Sequence, residues 1–130
     1  MSKLDPQDPL NQITEVIIGA AIEIHKHLGP GLLESAYETC LAYELEKADL
    51  KVERQKPLPV VYKEIQLDQG YRIDLLVENQ VVVELKVVEA ITDVHKAQVL
   101  SYLKFSKNRV GLLLNFNVKQ MRYGIQRFVC

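Results

Sequence analysis

Asp74, Glu84 and Lys86 are the residues whose types and spacing point most directly to chemistry. In the segment 71–77 the odd positions Tyr71, Ile73, Leu75 and Val77 are all apolar, and so are Val81, Val83, Leu85 and Val87 in the segment 81–88. Side chains alternate between the two faces of a strand, so these odd sets mark a buried face. The even positions carry Arg72, Asp74 and Leu76 on the first segment and Val82, Glu84, Lys86 and Val88 on the second. Two carboxylates and an ammonium therefore project from one side of a strand pair, among apolar neighbours. Neighbouring carboxylates repel and are costly to desolvate. A divalent cation resolves that conflict, because Mg²⁺ takes one or two carboxylates and completes its shell with water. Lys86 on the same face can orient or deprotonate a metal-bound water, or stabilise charge developing on a phosphate. An exposed patch of ion pairs, Glu84 with Lys86 and Asp74 with Arg72, gives the same pattern, and the strands alone leave both readings standing.

The shared face carries a geometric condition. Directly opposed residues of an antiparallel pair must have an even index sum if Asp74 and Glu84 are to meet, so the turn around Asn79 should hold an odd number of residues, three being the expectation. A two-residue turn would set Asp74 opposite Leu85 and remove the site.

Two helical segments bring further polar residues. On a helical wheel Glu34 falls between Leu41 and Leu45, with Tyr37 and Ala48 beside it. A glutamate inside an apolar stripe wants a partner, and a metal would be one. Glu44 lies near the same stripe, and an acid at a helix N-terminus is also favoured by the macrodipole. Gln98 and Tyr102 share one face at i, i+4. An amide and a phenol suit the holding of a phosphate or a water, although core packing of Tyr102 explains the pair as well. His25 and His27 precede the Gly29-Pro30-Gly31 turn and are read as helix-end histidines near terminal carbonyls, outside the site.

The elements that must position these groups follow from periodicity. Residues 10–28 place Ile13, Ile17, Ala20, Ala21, Ile24 and Leu28 at three- and four-residue steps, a helix with one buried stripe. Gly29-Pro30-Gly31 ends it, and a second helix is expected over 32–48. Residues 1–9, with Pro6 and Pro9, read as a short tail or helix entry. Residues 51–63 suggest one or two strands broken by Pro57 and Pro59, as at a sheet edge. Strands are expected over 71–77, 81–88, 109–115 and 121–129, with a third helix over 93–106. Two helices, a three- or four-strand meander, a helix and more strands make a mixed α/β or α+β domain.

Composition sets limits. The chain has 130 residues, the length of one domain spanning 1–130, with 48% hydrophobic and 25% charged residues, and it needs no metal merely to fold. Sixteen basic against 17 acidic residues leave a net charge of −1. That speaks against a non-specific DNA coat protein. It speaks less against a nuclease, because a bound metal supplies positive charge where a phosphate sits. Cys40 and Cys130 show no zinc spacing and read as a core thiol and a tail thiol. With no long apolar run and no signal-peptide pattern at Met1-Ser2-Lys3, the expected location is cytoplasmic, away from membranes.

Here the sequence resembles known proteins. Gly31-Leu32-Leu33-Glu34-Ser35-Ala36-Tyr37 matches the pattern that names the GxxExxY protein family. Asp74, then Glu84-Leu85-Lys86, then Gln98-x-x-x-Tyr102 resembles the PD-(D/E)xK, restriction-endonuclease-like superfamily, in which that family is placed. The superfamily's proline before the aspartate is absent, Ile73 standing there instead. The resemblance implies an αβββαβ core with a mixed sheet flanked by helices. It implies Glu34, Asp74 and Glu84 as metal ligands, with the Leu85 carbonyl as one further ligand, Lys86 as the catalytic lysine, and Gln98 and Tyr102 lining the site near the scissile phosphate. The expected activity is hydrolysis of DNA phosphodiester bonds by a metal-activated water, with Mg²⁺ or alternatively Mn²⁺. The rival is a nucleic-acid-binding or accessory protein that keeps the fold without turnover. So small a chain has little room for a recognition domain, so specificity would come from a homodimer, a partner, or a preference for ends, flaps or single strands.

Overall fold

The computed structural model describes residues 4–130; residues 1–3 of the expected tail lie outside the described residues. Two helices open the chain, α1 (Leu10–Leu28) and α2 (Glu34–Lys47). They are followed by β1 (Val52–Pro57), a small hairpin of β2 (Val60–Tyr62) and β3 (Ile65–Leu67), and the pair β4 (Arg72–Val77) and β5 (Val81–Lys86). Helix α3 (Asp93–Ser106), strand β6 (Val110–Asn115), a 3-10 turn at Met121–Gly124 and β7 (Ile125–Val129) complete it. The main sheet has the order β1-β4-β5-β6-β7, antiparallel except for the parallel pair β5 and β6. Parallel neighbours need a long crossover, and α3 supplies it. This is the restriction-endonuclease-like αβββαβ order with a mixed sheet between helices.

Several expected boundaries shift: β4 and β6 each start one residue late, and β5 stops at Lys86 rather than 88, where the Asn115 side chain takes the Val88 N–H and carbonyl. Helix α2 begins at Glu34 rather than 32, because Gly31 has φ +103 and Leu33 is extended. It ends at Lys47, since Ala48 is the C-cap and Asp49 is left-handed. Residues 121–129 divide into the 3-10 turn and β7 instead of one strand. Ile65–Leu67, exposed and flanked by polar residues, pairs with β2 and was hidden from an argument based on burial. The prolines act as expected: Pro57 ends β1, which is an edge strand, and β2 starts after Pro59.

Strand parity sorts the core. Leu75, Val77, Val81, Val83 and Leu85 pack with Ile17, Ala21, Ile24, Tyr37, Leu41 and Leu45 of α1 and α2. On the other face Leu76, Val82 and Leu113 pack with Val99, Tyr102 and Leu103 of α3. Ile73, just before Asp74, departs from its parity and joins the α3 cluster. Tyr37 stacks on Phe116 with ring centroids 4.4 Å apart, and its hydroxyl donates to the Gly29 carbonyl and accepts the Leu32 N–H. The tyrosine thus fastens the turn that aims α2 at the sheet. No helix among the described residues is long and apolar enough to cross a membrane.

Candidate active site

The β4–β5 ladder runs through Val77↔Val81, Leu76↔Val82 and Leu75↔Val83, around a three-residue turn at Glu78, Asn79 and Gln80. That register has an even index sum and sets Asp74 level with Glu84, as the shared-face argument requires. Glu78 and Asn79 both take positive φ, and the Gln80 N–H closes onto the Val77 carbonyl at 2.9 Å.

Beyond Leu75 the backbone ladder stops and the carboxylates take its place. The Asp74 N–H donates to Glu84 Oε2 at 2.9 Å, and the Leu85 N–H donates to Asp74 Oδ2 at 2.9 Å. Each acid is anchored by the main chain of the opposite strand. The pairing β1–β4 has a matching gap: Arg54 faces Leu75 and Lys56 faces Ile73, but Gln55 between them, at φ +50, pairs with nothing. The sheet is therefore open at the level of Gln55, Asp74 and Glu84.

The electrostatics of this opening are unbalanced. Glu84 is 3% exposed. Burial first, and then the charge of Asp74, push its carboxyl up to about 8, against the opposing pull of the Asp74 N–H and Lys86. Asp74 is also raised, chiefly by burial, with the Leu85 N–H and the Gln55 amide pulling the other way. The ion-pair patch that would have explained the pattern blandly is absent: among the described residues neither Asp74 nor Glu84 has a lysine or arginine within 4.0 Å. Lys86, half-buried at the end of β5, is close enough to lower both acids without pairing with either.

Helix α2 meets the opening with two acids rather than one. Glu34 stands exposed in its first turn, yet its carboxyl is raised by partial desolvation and by the charge of Asp74. Glu38, one turn on, is the buried acid, at 7% exposure. Its Oε2 accepts from Arg54 Nε at 3.0 Å and its Oε1 from Gln55 Nε2 at 2.6 Å. The same Gln55 amide donates to Asp74 Oδ1 at 3.3 Å, so Arg54, Glu38, Gln55 and Asp74 form one chain of contacts. Sequence reasoning passed over Glu38, Arg54 and Gln55. Glu38 had a signal, since a residue four after Glu34 shares its face; a left-handed Gln55 had none. Glu44, the other candidate on the wheel, is only partly buried and faces a separate recess between α1 and α2.

Helix α3 contributes Gln98 and Tyr102, whose amide and hydroxyl meet at 3.3 Å. The Tyr102 hydroxyl is raised by burial and then by the charge of Glu84, and its ring packs in one cluster with Ile73, the residue before Asp74. His25 bonds the Val118 carbonyl at 2.7 Å and His27 pairs with Glu23, so both stay outside the site.

The donor set offers hard oxygens and a nearby ammonium, which suits a hard divalent cation. Among the described residues no three His, Cys, Asp or Glu side chains converge on one point, so Asp74 and Glu84 form a pair with Glu34 set apart. Mg²⁺ commonly uses one or two carboxylates, keeping water in its remaining positions. The buried acid without a cation is the group such an ion would neutralise.

In comparisons with known proteins, no curated protein and no solved structure matches the chain. A family model described as PD-(D/E)XK nuclease superfamily matches residues 11–128.

Proposed function

The chain belongs to the PD-(D/E)XK nuclease superfamily, and from that membership we propose that it is a divalent-metal-dependent nuclease hydrolysing DNA phosphodiester bonds. The observation that carries the reading is the interlocked acid pair: Asp74 and Glu84, each fixed by an opposing main-chain N–H, with Glu84 buried and without a counter-cation. Asp74 and Glu84 would hold Mg²⁺, or Mn²⁺ in its place, with Glu34 reaching it from α2. When bound, the ion supplies Lewis-acid polarisation and charge neutralisation at the phosphate. Lys86 orients the attacking water and sets a positive charge beside the phosphate oxygens. Gln98 and Tyr102 hold the substrate strand against the pair, and the hydrophobic faces of the sheet keep the acids from relaxing into water.

The rival, a non-catalytic nucleic-acid-binding or accessory protein on the same fold, draws on the lack of a three-acid cluster among the described residues. One experiment separates them. Labelled single- and double-stranded DNA and RNA are incubated with Mg²⁺ or Mn²⁺, beside the Lys86→Ala variant. Cleavage by wild type that the variant loses supports the nuclease. Wild type cutting none of these, flaps included, gives the accessory reading its place.

A further inference from the structure

Beside the acid pair, the described structure holds a recess of about 250 Å³ lined by Val60, Tyr71, Gln98, Ser101, Tyr102 and Phe105. We propose that this recess binds one unstacked nucleobase of a single-stranded nucleic acid, holding the strand with a phosphate at the metal that Asp74 and Glu84 would carry. The proposal rests on the nuclease reading and deepens it by naming the form of substrate.

The chemistry of the walls supports a base. Three of the six lining residues are aromatic, and stacking on aromatic side chains is how single strands are gripped whatever their sequence. Two others are polar and suited to a base edge. The Gln98 amide nitrogen is engaged with the Tyr102 hydroxyl, which leaves its carbonyl oxygen to accept, and the exposed Ser101 hydroxyl can donate or accept. The recess is smaller than the roughly 300–1,000 Å³ that takes a whole drug-sized ligand, the scale of one planar ring system with its sugar and phosphate outside.

Position and charge agree with this. Tyr102 is a wall of the recess and packs in one buried cluster with Ile73, the residue before Asp74, so the recess adjoins the strand that carries the acid. Tyr71, 38% exposed, directly precedes β4 and stands three residues before Asp74. Lys104 lies 5.6 Å over the ring of Phe105, a wall of the recess, and is a cation for a flanking phosphate. With a net charge of −1 the chain lacks the strongly basic balance that carries non-specific duplex binding. A base is neutral, and stacking adds affinity that does not depend on net positive charge.

The test compares a ten-nucleotide thymidine oligomer, dT10, with an abasic decamer of equal charge and with a ten-base-pair duplex. Affinity is read by fluorescence anisotropy with calcium present in place of magnesium, and cleavage is read separately in magnesium. Wild type should bind dT10 at least tenfold tighter than the abasic strand. Tyr71→Ala should erase that preference, Tyr71→Phe should keep it, and Ser101→Leu should block the recess from an exposed position without removing a ring. Equal affinity for dT10 and the abasic strand, a preference for duplex, or a Tyr71→Ala variant of wild-type preference would each overturn the base site; cleavage persisting in magnesium then leaves the nuclease reading standing. Wild type that neither binds nor cuts any of the three overturns the nuclease reading and the base site with it.

Discussion

Replacing Glu84 with glutamine should stabilise the metal-free protein, and increasingly so as pH rises. Glutamine keeps the size of the side chain and an oxygen to accept the Asp74 N–H, but carries no charge into the buried site. Burial and Asp74 raise the Glu84 carboxyl from 4.5 to about 8 in the folded protein. The native state therefore keeps a proton that the unfolded chain releases near 4.5, and its stability falls as pH climbs between those values. At about 1.4 kcal/mol per pKa unit, wild type should lose roughly 3–4 kcal/mol between pH 5 and pH 8 that Glu84→Gln does not lose. Urea unfolding of both proteins in EDTA, at half-unit steps across that range, measures the difference directly. The gap should be about 1 kcal/mol at pH 5 and open steadily upward. Adding Mg²⁺ at pH 8 should then stabilise wild type alone, by about 2.7 kcal/mol at a hundredfold excess over its Kd. A gap that is constant with pH would refute the argument, because Glu84 would then titrate normally in the native state.

Lys86→Ala should abolish cleavage while calorimetry shows metal binding largely intact, whereas Asp74→Ala should lose both, since an ion with so few protein ligands cannot spare one. Gln55→Gly should relieve a left-handed backbone yet weaken metal binding about 10- to 100-fold, because the amide that steadies Asp74 is gone. Unchanged metal affinity in that variant would show that the Glu38–Gln55 link is merely structural. Tyr37→Phe should cost about 1–2 kcal/mol in thermal or urea unfolding, the value of hydrogen bonds to Gly29 and Leu32 lost beneath a retained ring; a neutral result would mean that the turn holds its own shape.

Much of this was legible from alternation. Odd-numbered valines and leucines marked the faces of β4 and β5 as far as Leu75, and the odd turn set the register that brings Asp74 level with Glu84. Tyr71 and Ile73 break the alternation and lie with residues of α3. Helix α1, with its stripe and its Gly-Pro-Gly stop, was equally plain. What escaped is what periodicity does not encode. The conformation of Gln55 is a property of one backbone angle, and its consequence, a buried Glu38 tied to Asp74, appears only when α2 lies against β1. The wheel set Glu34 within the apolar stripe with Glu44 near it; it could not show that Glu34, the first residue of α2, stands exposed while Glu38 one turn on is buried.

The gap at Gln55 also bears on how the chain avoids its own copies. β1 is an outer strand, and an outer strand with regularly spaced free N–H and C=O groups is a template on which another strand can zip. Here the regular pairing of β1 is cut into Val52–Arg54 on one side and Lys56–Pro57 on the other, with charged Glu53, Arg54 and Lys56 along it and a proline at the end. A left-handed residue in the middle of β1 breaks the regular spacing of that edge, one of the devices that make an outer strand a poor template for another chain.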